Sequence, residues 1–248
     1  MLPNDYTSSA KYYDTIVGKK TFEKNTKFIS TLLKKFKAKT VLELGCGTGL
    51  YLFPLKKDKC SIEGLDISKA MLREARKRSK EVKLYLQDMA TFTIPKKYDA
   101  ILCLNSSLAL LPTFKLIEKT IKNCKKHLEK DGILILDLAN HSKEIKESDN
   151  SQEKETYKIP KGELQLLSKD YKKGNKWVSE WYGVIKQGKK TKIFKDKYAE
   201  LIFSPKQLEK SIKNNGFKLL QMYGSRSGGK FVVDKSYRRV YICQKISY

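Results

Sequence analysis

The spacing of apolar side chains predicts a chain that begins with helix and then alternates strands with helices. Apolar residues between 9 and 36 recur with a period of 3.6, and Gly18 divides this helical stretch into two. Short apolar runs typical of buried strands occupy 40–44, 60–65, 82–86, 98–104 and 132–137. Because helical segments separate these runs, the pattern favours a parallel sheet with helices on both faces.

The pattern changes after Asn140. Residues 142–160 are polar and charged, which predicts a loop or lid. Strand-like runs without intervening helices follow at 164–168, 177–185 and 192–203, with glycine turns at 173–175 and 187–189 between them. These runs predict an antiparallel insertion.

The carboxyl-terminal part returns to the first pattern. Ser204 and Pro205 open a helix, and strands follow at 217–223 and 239–245. We therefore expect an α/β fold, Rossmann-like and doubly wound, with a mostly parallel seven-stranded sheet and an antiparallel β insertion after the fifth strand. The expected domains are 1–141 with 204–248 for the main unit, and 142–203 for a substrate lid.

A glycine turn follows the first strand, in the segment VLELGCGTG at 41–49. Glycines let the backbone turn tightly and let a ligand approach the main chain. The spacing is G-x-G-x-G, tighter than the G-x-G-x-x-G of dinucleotide sites. Glu43 precedes the turn, so a ligand with an amino group suits the site better than an anion. An ordinary strand-to-helix turn is the alternative.

Acidic residues end the next two strands. Asp66 closes the second strand, where a carboxylate can accept both hydroxyls of a ribose. Asp88 closes the third strand, where it can accept the exocyclic amine of an adenine. Helix capping is the alternative for Asp66, and loop capping for Asp88.

Five segments together resemble a known family. VLELGCGTG, GLDIS, LQDMA, YDAILCLNSS and DGILILDLAN, in this order across roughly residues 10–140, resemble the motifs of class I S-adenosylmethionine-dependent methyltransferases. The resemblance implies S-adenosyl-L-methionine as cofactor, with the glycines along its methionine part and Asn105 near its sulfonium. The cofactor-binding residues so implied are Tyr13, Glu43, Gly45, Cys46, Gly47, Gly49, Asp66, Ile67, Gln87, Asp88, Met89 and Asn105.

Two further segments resemble one branch of that family. Residues 198–208 with 215–217 are similar to the glycine N-methyltransferase-like and sugar-amine N-methyltransferase-like enzymes, in which an insertion after the fifth strand builds the substrate pocket. Tyr13 lies in a Y-D element that resembles the cofactor lid of small-molecule methyltransferases. The chain departs from such relatives at 108–111, where its residues are apolar.

Methyl transfer from a sulfonium needs mainly alignment and desolvation of the nucleophile, so no catalytic triad is required. The candidate catalytic residues are His141 and Tyr13. His141 is either a base or substrate contact, or a loop residue without a role in catalysis. The candidate substrate-binding residues are Ser107, Trp181, Tyr198, Glu200 and Arg226. The aromatic residues and Glu200 suit an amine, or else they pack the sheet. Arg226 either reaches a substrate anion or is solvated.

The charge balance adds an alternative acceptor. Lys+Arg number 52 against 27 Asp+Glu, a formal net charge of +25, which suits an anionic partner such as RNA. The lysines are spread along the whole chain, however. This favours a generally lysine-rich composition, rather than an RNA partner, as the reason for the positive charge. We expect a methyltransferase for a small molecule, at nitrogen or oxygen. The alternatives are an RNA (tRNA or rRNA) methyltransferase and, from another class, a dinucleotide-dependent oxidoreductase or nucleotide-binding module.

Composition also bounds the setting. The five cysteines are widely spaced and form no C-x-x-C pair, which argues against a disulfide framework or a metal site. Residues 1–5 lack the character of a secretory signal, and no apolar run is long enough to span a membrane. We expect a cytoplasmic protein with no membrane partner, and the oligomeric state stays open.

Overall fold

The computed structural model describes residues 6–56 and 60–246, apart from the side chains of 19–21, 23 and 24. Residues 1–5, on which the expectation about a signal rests, lie outside that part. The elements of the first half are α1 (Tyr13–Val17), α2 (Lys19–Lys35), β1 (Thr40–Leu44), α3 (Leu52–Lys56), β2 (Ser61–Asp66), α4 (Lys69–Arg78), β3 (Leu84–Leu86), β4 (Tyr98–Cys103) and α5 (Phe114–His127). The second half contains β5 (Leu128–Ala139), α6 (His141–Ser148), β6 (Ser151–Ile159), β7 (Gly162–Lys173), β8 (Lys176–Gln187), β9 (Lys190–Leu201), α7 (Pro205–Asn214), β10 (Phe217–Tyr223) and β11 (Arg238–Lys245).

The main sheet confirms the expected fold class. Its seven strands lie in the order β10-β11-β5-β4-β1-β2-β3, and β1 to β5 pair in parallel. β11 runs antiparallel to both of its neighbours. From β1 the chain winds to one side through β2 and β3, and to the other side through β4 and β5. This reversal opens a crevice at the carboxyl ends of β1 and β4, where ligands bind in such sheets.

Helices cover both faces of the main sheet because the central strands are apolar on both faces. On one face Ile117 and Ile121 of α5 pack with Leu208 and Ile212 of α7 in a core of buried side chains. On the other face the residues from the amino-terminal helices form a second core, namely Ile29, Leu33, Leu52, Leu55 and Leu72. Burial of both strand faces explains the uninterrupted apolar runs in the sequence.

The insertion forms a second sheet with the consecutive order β6-β7-β8-β9, all antiparallel. The glycine turns are confirmed, with Gly174 at φ 60° and Gly188 at φ 57°. The expectation of a loop over 142–160 was wrong, because α6 and β6 occupy this segment. β6 is an edge strand whose side chains are mostly exposed. Backbone hydrogen bonds to β7 hold this strand in place, so its side chains need not alternate between apolar and polar. Without that alternation the sequence does not indicate a strand here.

The amino-terminal segment connects the two sheets. Gly18 has φ 76° and separates α1 from α2, as the sequence predicted. The Ser9 amide donates to Asp196 Oδ2 of β9 at 2.7 Å, and the ring of Tyr12 stacks on Phe194 at 6.2 Å. Thr48 of the glycine turn donates from Oγ1 to Asp14 Oδ1 at 2.5 Å. Residues 6–18 therefore touch both the glycine turn and the insertion.

Arg239 anchors the exit of the insertion to the main sheet. Its side chain is buried and donates from Nε to Ala139 O and from Nη1 to Phe203 O, each at 3.0 Å. These bonds join the end of β5, where the insertion leaves, to the residue where the chain returns.

Across the residues that the structure describes, no helix is long and apolar enough to cross a bilayer.

Gly183 offers a test of the packing between the insertion and the amino-terminal segment. It lies opposite Phe194, and a Cβ at Gly183 would overlap that ring. We expect Gly183→Ala to lower the free energy of unfolding by about 1–3 kcal/mol, since Phe194 must leave its stack on Tyr12. Urea unfolding measures the loss, and Thr191→Ala, at an exposed site on β9, is the control. Equal stability of the two variants would contradict this packing.

Candidate active site

A cavity of about 260 Å³ lies at the carboxyl ends of the parallel strands. It brings together most of the residues that the sequence predicted for the cofactor. Those at its wall are Tyr13, Glu43, Gly45, Cys46, Gly47, Asp66, Ile67, Gln87, Asp88, Met89 and Asn105, joined by Ser107. The structure thus gathers residues that are up to 94 positions apart. We call this space the glycine-turn cavity.

Gly49 is the exception among the glycines expected along the cofactor. It does not line the glycine-turn cavity. Its φ of 83° and its position against the ring of Phe53 leave no room for a Cβ, so this glycine serves the turn into α3. Gly45 has a similar constraint, since a Cβ there would lie 2.7 Å from the side chain of Ser107.

Gly47 is the glycine that faces open space. Its φ is 54°, and a Cβ on it would meet nothing within 4 Å, so the space beside this glycine is open. Its amide donates to Asp66 Oδ2 at 2.7 Å. The Ser68 amide donates to Asp66 Oδ1 at 2.8 Å. Desolvation raises the pKa of Asp66, while these backbone amides oppose the rise and fix the carboxylate at the cavity wall.

Glu43 is a buried carboxyl group at the same wall. Its side chain is 2 % exposed, and among the described residues its Oε2 has no hydrogen-bond partner. Desolvation, together with the charge of Asp66, raises its pKa well above the usual range. A buried acceptor without a donor is costly, so this atom suits a ligand that brings an ammonium group.

The far end of the glycine-turn cavity is apolar. Ile67 is 44 % exposed, and Leu110 and Leu111 line the cavity as well. Two residues of the apolar run at 108–111, which departs from the family pattern, therefore present apolar side chains to this cavity. Asp88 accepts from the Ala90 amide at 2.7 Å through Oδ1. The Gln87 side chain accepts from Thr93 N at 2.9 Å, which turns it toward its own loop.

A second cavity, of about 310 Å³, meets the first at Asn105, which lines both. Three carboxylates line it, from Glu144, Asp170 and Glu200, together with Trp177, Ser179, Tyr198 and Arg238. The insertion strands β7 to β9 and helix α6 thus form one wall, and β11 contributes the guanidinium. We call this space the carboxylate cavity.

Asp137 fixes the boundary between the two cavities. Its carboxylate is 1 % exposed and accepts from Arg226 Nε at 2.7 Å, Arg238 Nε at 2.8 Å and the Asn105 amide at 2.9 Å. Burial opposes ionisation, but the two guanidiniums hold the pKa of Asp137 at about 2. Asn105 and Ser106 have φ of 52° and 63°, a backbone that these bonds hold in place.

Arg226 differs from both sequence interpretations. Its guanidinium binds Asp137 and donates from Nη2 to Asn105 Oδ1 at 2.7 Å, and the side chain is 14 % exposed. It is therefore neither solvated nor directed to a substrate anion. Sequence analysis missed Asp137 and Arg238, because no motif connects residues that lie about 100 positions apart in the chain.

Four aromatic rings cover the boundary from the other side. Tyr6 lies 5.6 Å from Tyr13, 6.4 Å from Trp181 and 5.3 Å from Tyr198, measured between ring centroids. The Tyr13 hydroxyl lies 3.5 Å from Asn105 Nδ2, and desolvation raises its pKa to about 12. Tyr13 is therefore a neutral phenol at physiological pH. Trp181 lines neither cavity and supports Tyr13 and Tyr198 from behind.

His141 lies behind the carboxylate cavity and is 3 % exposed. Its Nδ1 is 2.7 Å from Glu144 Oε2, and its Nε2 is 3.2 Å from Glu200 Oε2, an ion-pair contact without hydrogen-bond alignment. Burial lowers the pKa of the imidazole, but the two carboxylates outweigh burial and raise the pKa to about 9. The ring is protonated at neutral pH. It cannot serve as a base there, and it is not a plain loop residue.

Known proteins resemble this chain in sequence over part of its length. Residues 41–132 match the family described as methyltransferase domain. The chain is 28% identical over 138 residues to dTDP-3-amino-3,6-dideoxy-alpha-D-glucopyranose N,N-dimethyltransferase of Streptomyces fradiae, covering 54% of each protein. It is 31% identical over 100 residues to dTDP-3-amino-3,4,6-trideoxy-alpha-D-glucopyranose N,N-dimethyltransferase of Streptomyces venezuelae, covering 40% of this chain and 42% of the relative. The matches thus span about half, or less, of these relatives.

The fold is shared over nearly the whole chain. A crystal structure of an S-adenosylmethionine-dependent methyltransferase from Clostridium acetobutylicum superposes with a TM-score of 0.82 at 20% identity. The match covers 96% of this chain and 98% of that one. The expected Rossmann-like fold of this class, with its insertion, is confirmed.

The Asp137 network makes a stability prediction. We expect Asp137→Asn to lower the free energy of unfolding by about 3–5 kcal/mol, because two partly buried guanidiniums lose their counter-charge. Urea unfolding at neutral pH measures this. The control is Asp234→Asn, whose ion pair with Lys146 is exposed, and which should change stability by less than about 1 kcal/mol. A small effect at Asp137 would show that the arginines are held by other contacts.

The His141 contacts make a pH prediction. A folded pKa of about 9 against an ordinary value of 6.5 means that the imidazole binds its proton more tightly in the folded state. The resulting stabilisation is complete below pH 6.5 and is lost as the pH rises through about 9. Relative to His141→Gln, we expect the wild-type advantage to fall by about 3 kcal/mol across this window. Denaturant unfolding at a series of pH values measures it, and a constant difference would refute the pairing.

Proposed function

We propose that this chain methylates a small-molecule amine. Two findings support the proposal: residues 41–132 match the methyltransferase domain family, and the fold is that of class I S-adenosylmethionine-dependent methyltransferases. The observation that carries the proposal is the meeting of the glycine-turn cavity and the carboxylate cavity at Asn105. One cavity suits the cofactor and the other suits the acceptor.

The glycine-turn cavity fits S-adenosyl-L-methionine at both ends. Glu43 offers its unpartnered oxygen to the amino group, and Gly47 leaves room for the chain of the methionine part. Asp66, fixed by two backbone amides, retains lone pairs for the ribose hydroxyls. We assign Asp88 and the Met89 amide to the adenine edge, and Ile67, Leu110 and Leu111 to its faces, because all of them line this cavity. When bound, the cofactor supplies an electrophilic methyl group.

The carboxylate cavity favours an amine over the other acceptors. Glu144, Asp170 and Glu200 attract an ammonium group, which favours an amine as the acceptor. The RNA alternative depends on the positive net charge, and the lysines that produce it are spread along the whole chain rather than clustered. The amino-sugar N,N-dimethyltransferases that resemble this chain point to nitrogen rather than oxygen. We therefore propose a polar amine such as an amino sugar.

The residues around the boundary then align and desolvate the acceptor nitrogen. Tyr13 and Asn105 separate the two cavities, and the aromatic rings exclude water from the point where they meet. Such alignment can supply several kcal/mol of barrier lowering. Since His141 is protonated, the carboxylates of Glu200 and Asp170 are the groups that can take a proton from an ammonium before methylation.

The division of labour follows the chain. We propose that 1–141 with 204–248 bind the cofactor, and that 142–203 form the acceptor side, because β7 and β9 supply Asp170, Tyr198 and Glu200. We also propose a cytoplasmic setting, which the widely spaced cysteines support. Cys46, Cys103, Cys124 and Cys243 are buried among apolar side chains.

Asp66 tests the cofactor assignment. We expect Asp66→Ala to weaken binding of S-adenosyl-L-homocysteine about tenfold or more, since hydrogen bonds to a charged group contribute about 1.5–3 kcal/mol. Isothermal calorimetry measures the affinity, and Asp234→Ala, at an exposed site, is the control. Unchanged affinity in the Asp66 variant, or a nicotinamide dinucleotide binding in its place, would contradict the assignment.

The acceptor is tested with methyl-labelled S-adenosyl-L-methionine and three classes of acceptor in parallel. These are dTDP-3-amino-3,6-dideoxy-alpha-D-glucose, glycine and total tRNA. We expect label in the amino sugar, because its amine and hydroxyls suit the carboxylate cavity. Label in tRNA alone would overturn the small-molecule proposal.

A further inference from the structure

His141 is placed where helix stability does not explain a cation. It is the first residue of α6, whose amino-terminal end favours negative rather than positive charge. It is nevertheless almost completely buried, with one ring nitrogen against Glu144 of its own helix and the other against Glu200 of β9. The ring therefore links two elements that both contribute carboxylates to the carboxylate cavity.

Other charged and aromatic groups surround His141 and its two glutamate partners. Trp177 of β8 stacks on the His141 ring at 6.3 Å, and Asp170 of β7 shares the cavity and interacts electrostatically with Glu144 and Glu200. From β11, Arg238 and Arg239 also act on Glu200. Arg238 is bound to Asp137, and Arg239 donates to backbone carbonyls.

We propose that His141 is a positioning residue that holds Glu144 and Glu200 together on one wall of the acceptor site, so that Glu200 binds the acceptor amine. The inference rests on the function proposed above and deepens it. His141 lines neither cavity, so its effect on the acceptor passes through Glu200. Without a cation between them, Glu144, Asp170 and Glu200 repel one another and need not converge on one ligand.

A double-mutant cycle tests this indirect action. The variants are His141→Gln, Glu200→Gln and the double variant, assayed with dTDP-3-amino-3,6-dideoxy-alpha-D-glucose as acceptor. We expect each single change to raise the acceptor KM about tenfold, and the double variant to be no worse than the poorer single one. The affinity for S-adenosyl-L-homocysteine should stay within about twofold, because the glycine-turn cavity is unchanged. Additive effects on KM would overturn the proposal.

The other histidine provides a matched control. His127 is also buried at a helix end, but its Nε2 accepts from the Ile94 amide at 3.3 Å on the α5 side of the main sheet. His127→Gln should leave the acceptor KM and its pH dependence unchanged. In the wild type the acceptor KM should rise above about pH 9, where His141 loses its proton, and this rise should be absent in His141→Gln.

A measurement without turnover separates the inference from the proposed function. In protein labelled at histidine, the chain's two histidines give two sets of NMR signals, and His127→Gln assigns them. The His141 signal should titrate near pH 9 and shift to lower pH in Glu200→Gln. Titration near 6.5 overturns the inference even if methyl transfer is found. Failure to bind S-adenosyl-L-homocysteine or to methylate any acceptor overturns the proposed function, whatever His141 does.

Discussion

The buried carboxylate of Asp137 is the interaction on which the arrangement of the site depends. It lies near the end of β5 and binds Arg238 of β11, Arg226 of the β10–β11 connection and the backbone of Asn105. A buried charge is tolerated only when it is paired and hydrogen-bonded, and here every partner comes from a different segment. The left-handed backbone at 105–106, which lies between the two cavities, is thereby held in place.

The parallel half of the fold and the glycine-turn cavity could be predicted because their signals are local. Buried parallel strands read as short apolar runs, and glycines with positive φ mark the turn between β1 and α3. The carboxyl ends of such strands meet at one edge, so Glu43, Asp66 and Asp88 must lie near one another once the strands pair. Gly49 fits the same motif but serves the turn, a distinction that depends on where Phe53 lies.

The carboxylate cavity could be predicted only in part because its contacts are long-range. Glu200 and Tyr198 were suggested by their place on insertion strands, yet α6 and β6 read as a polar loop. An exposed edge strand needs only backbone partners, so β6 carries no apolar pattern. The roles of His141 and Arg226 depend on carboxylates 59 and 89 positions away, at Glu200 and Asp137. Residue type alone suggests a base or a free cation in such cases.

The net charge of +25 favours an anionic ligand, whereas the carboxylates of the site favour a cationic one. Which of the two charges acts on a bound ligand depends on their distance from it. Charges on the solvated surface are screened within about 8 Å at physiological ionic strength, whereas groups that line a cavity act at contact range. The charged groups that line the carboxylate cavity, Glu144, Asp170, Glu200 and Arg238, therefore act more strongly on a ligand there than the lysines that outnumber acids on the chain as a whole. The protonated ring of His141 lies between Glu144 and Glu200 and reduces the repulsion between them. A buried cation thus allows these two carboxylates to lie on one wall of the cavity.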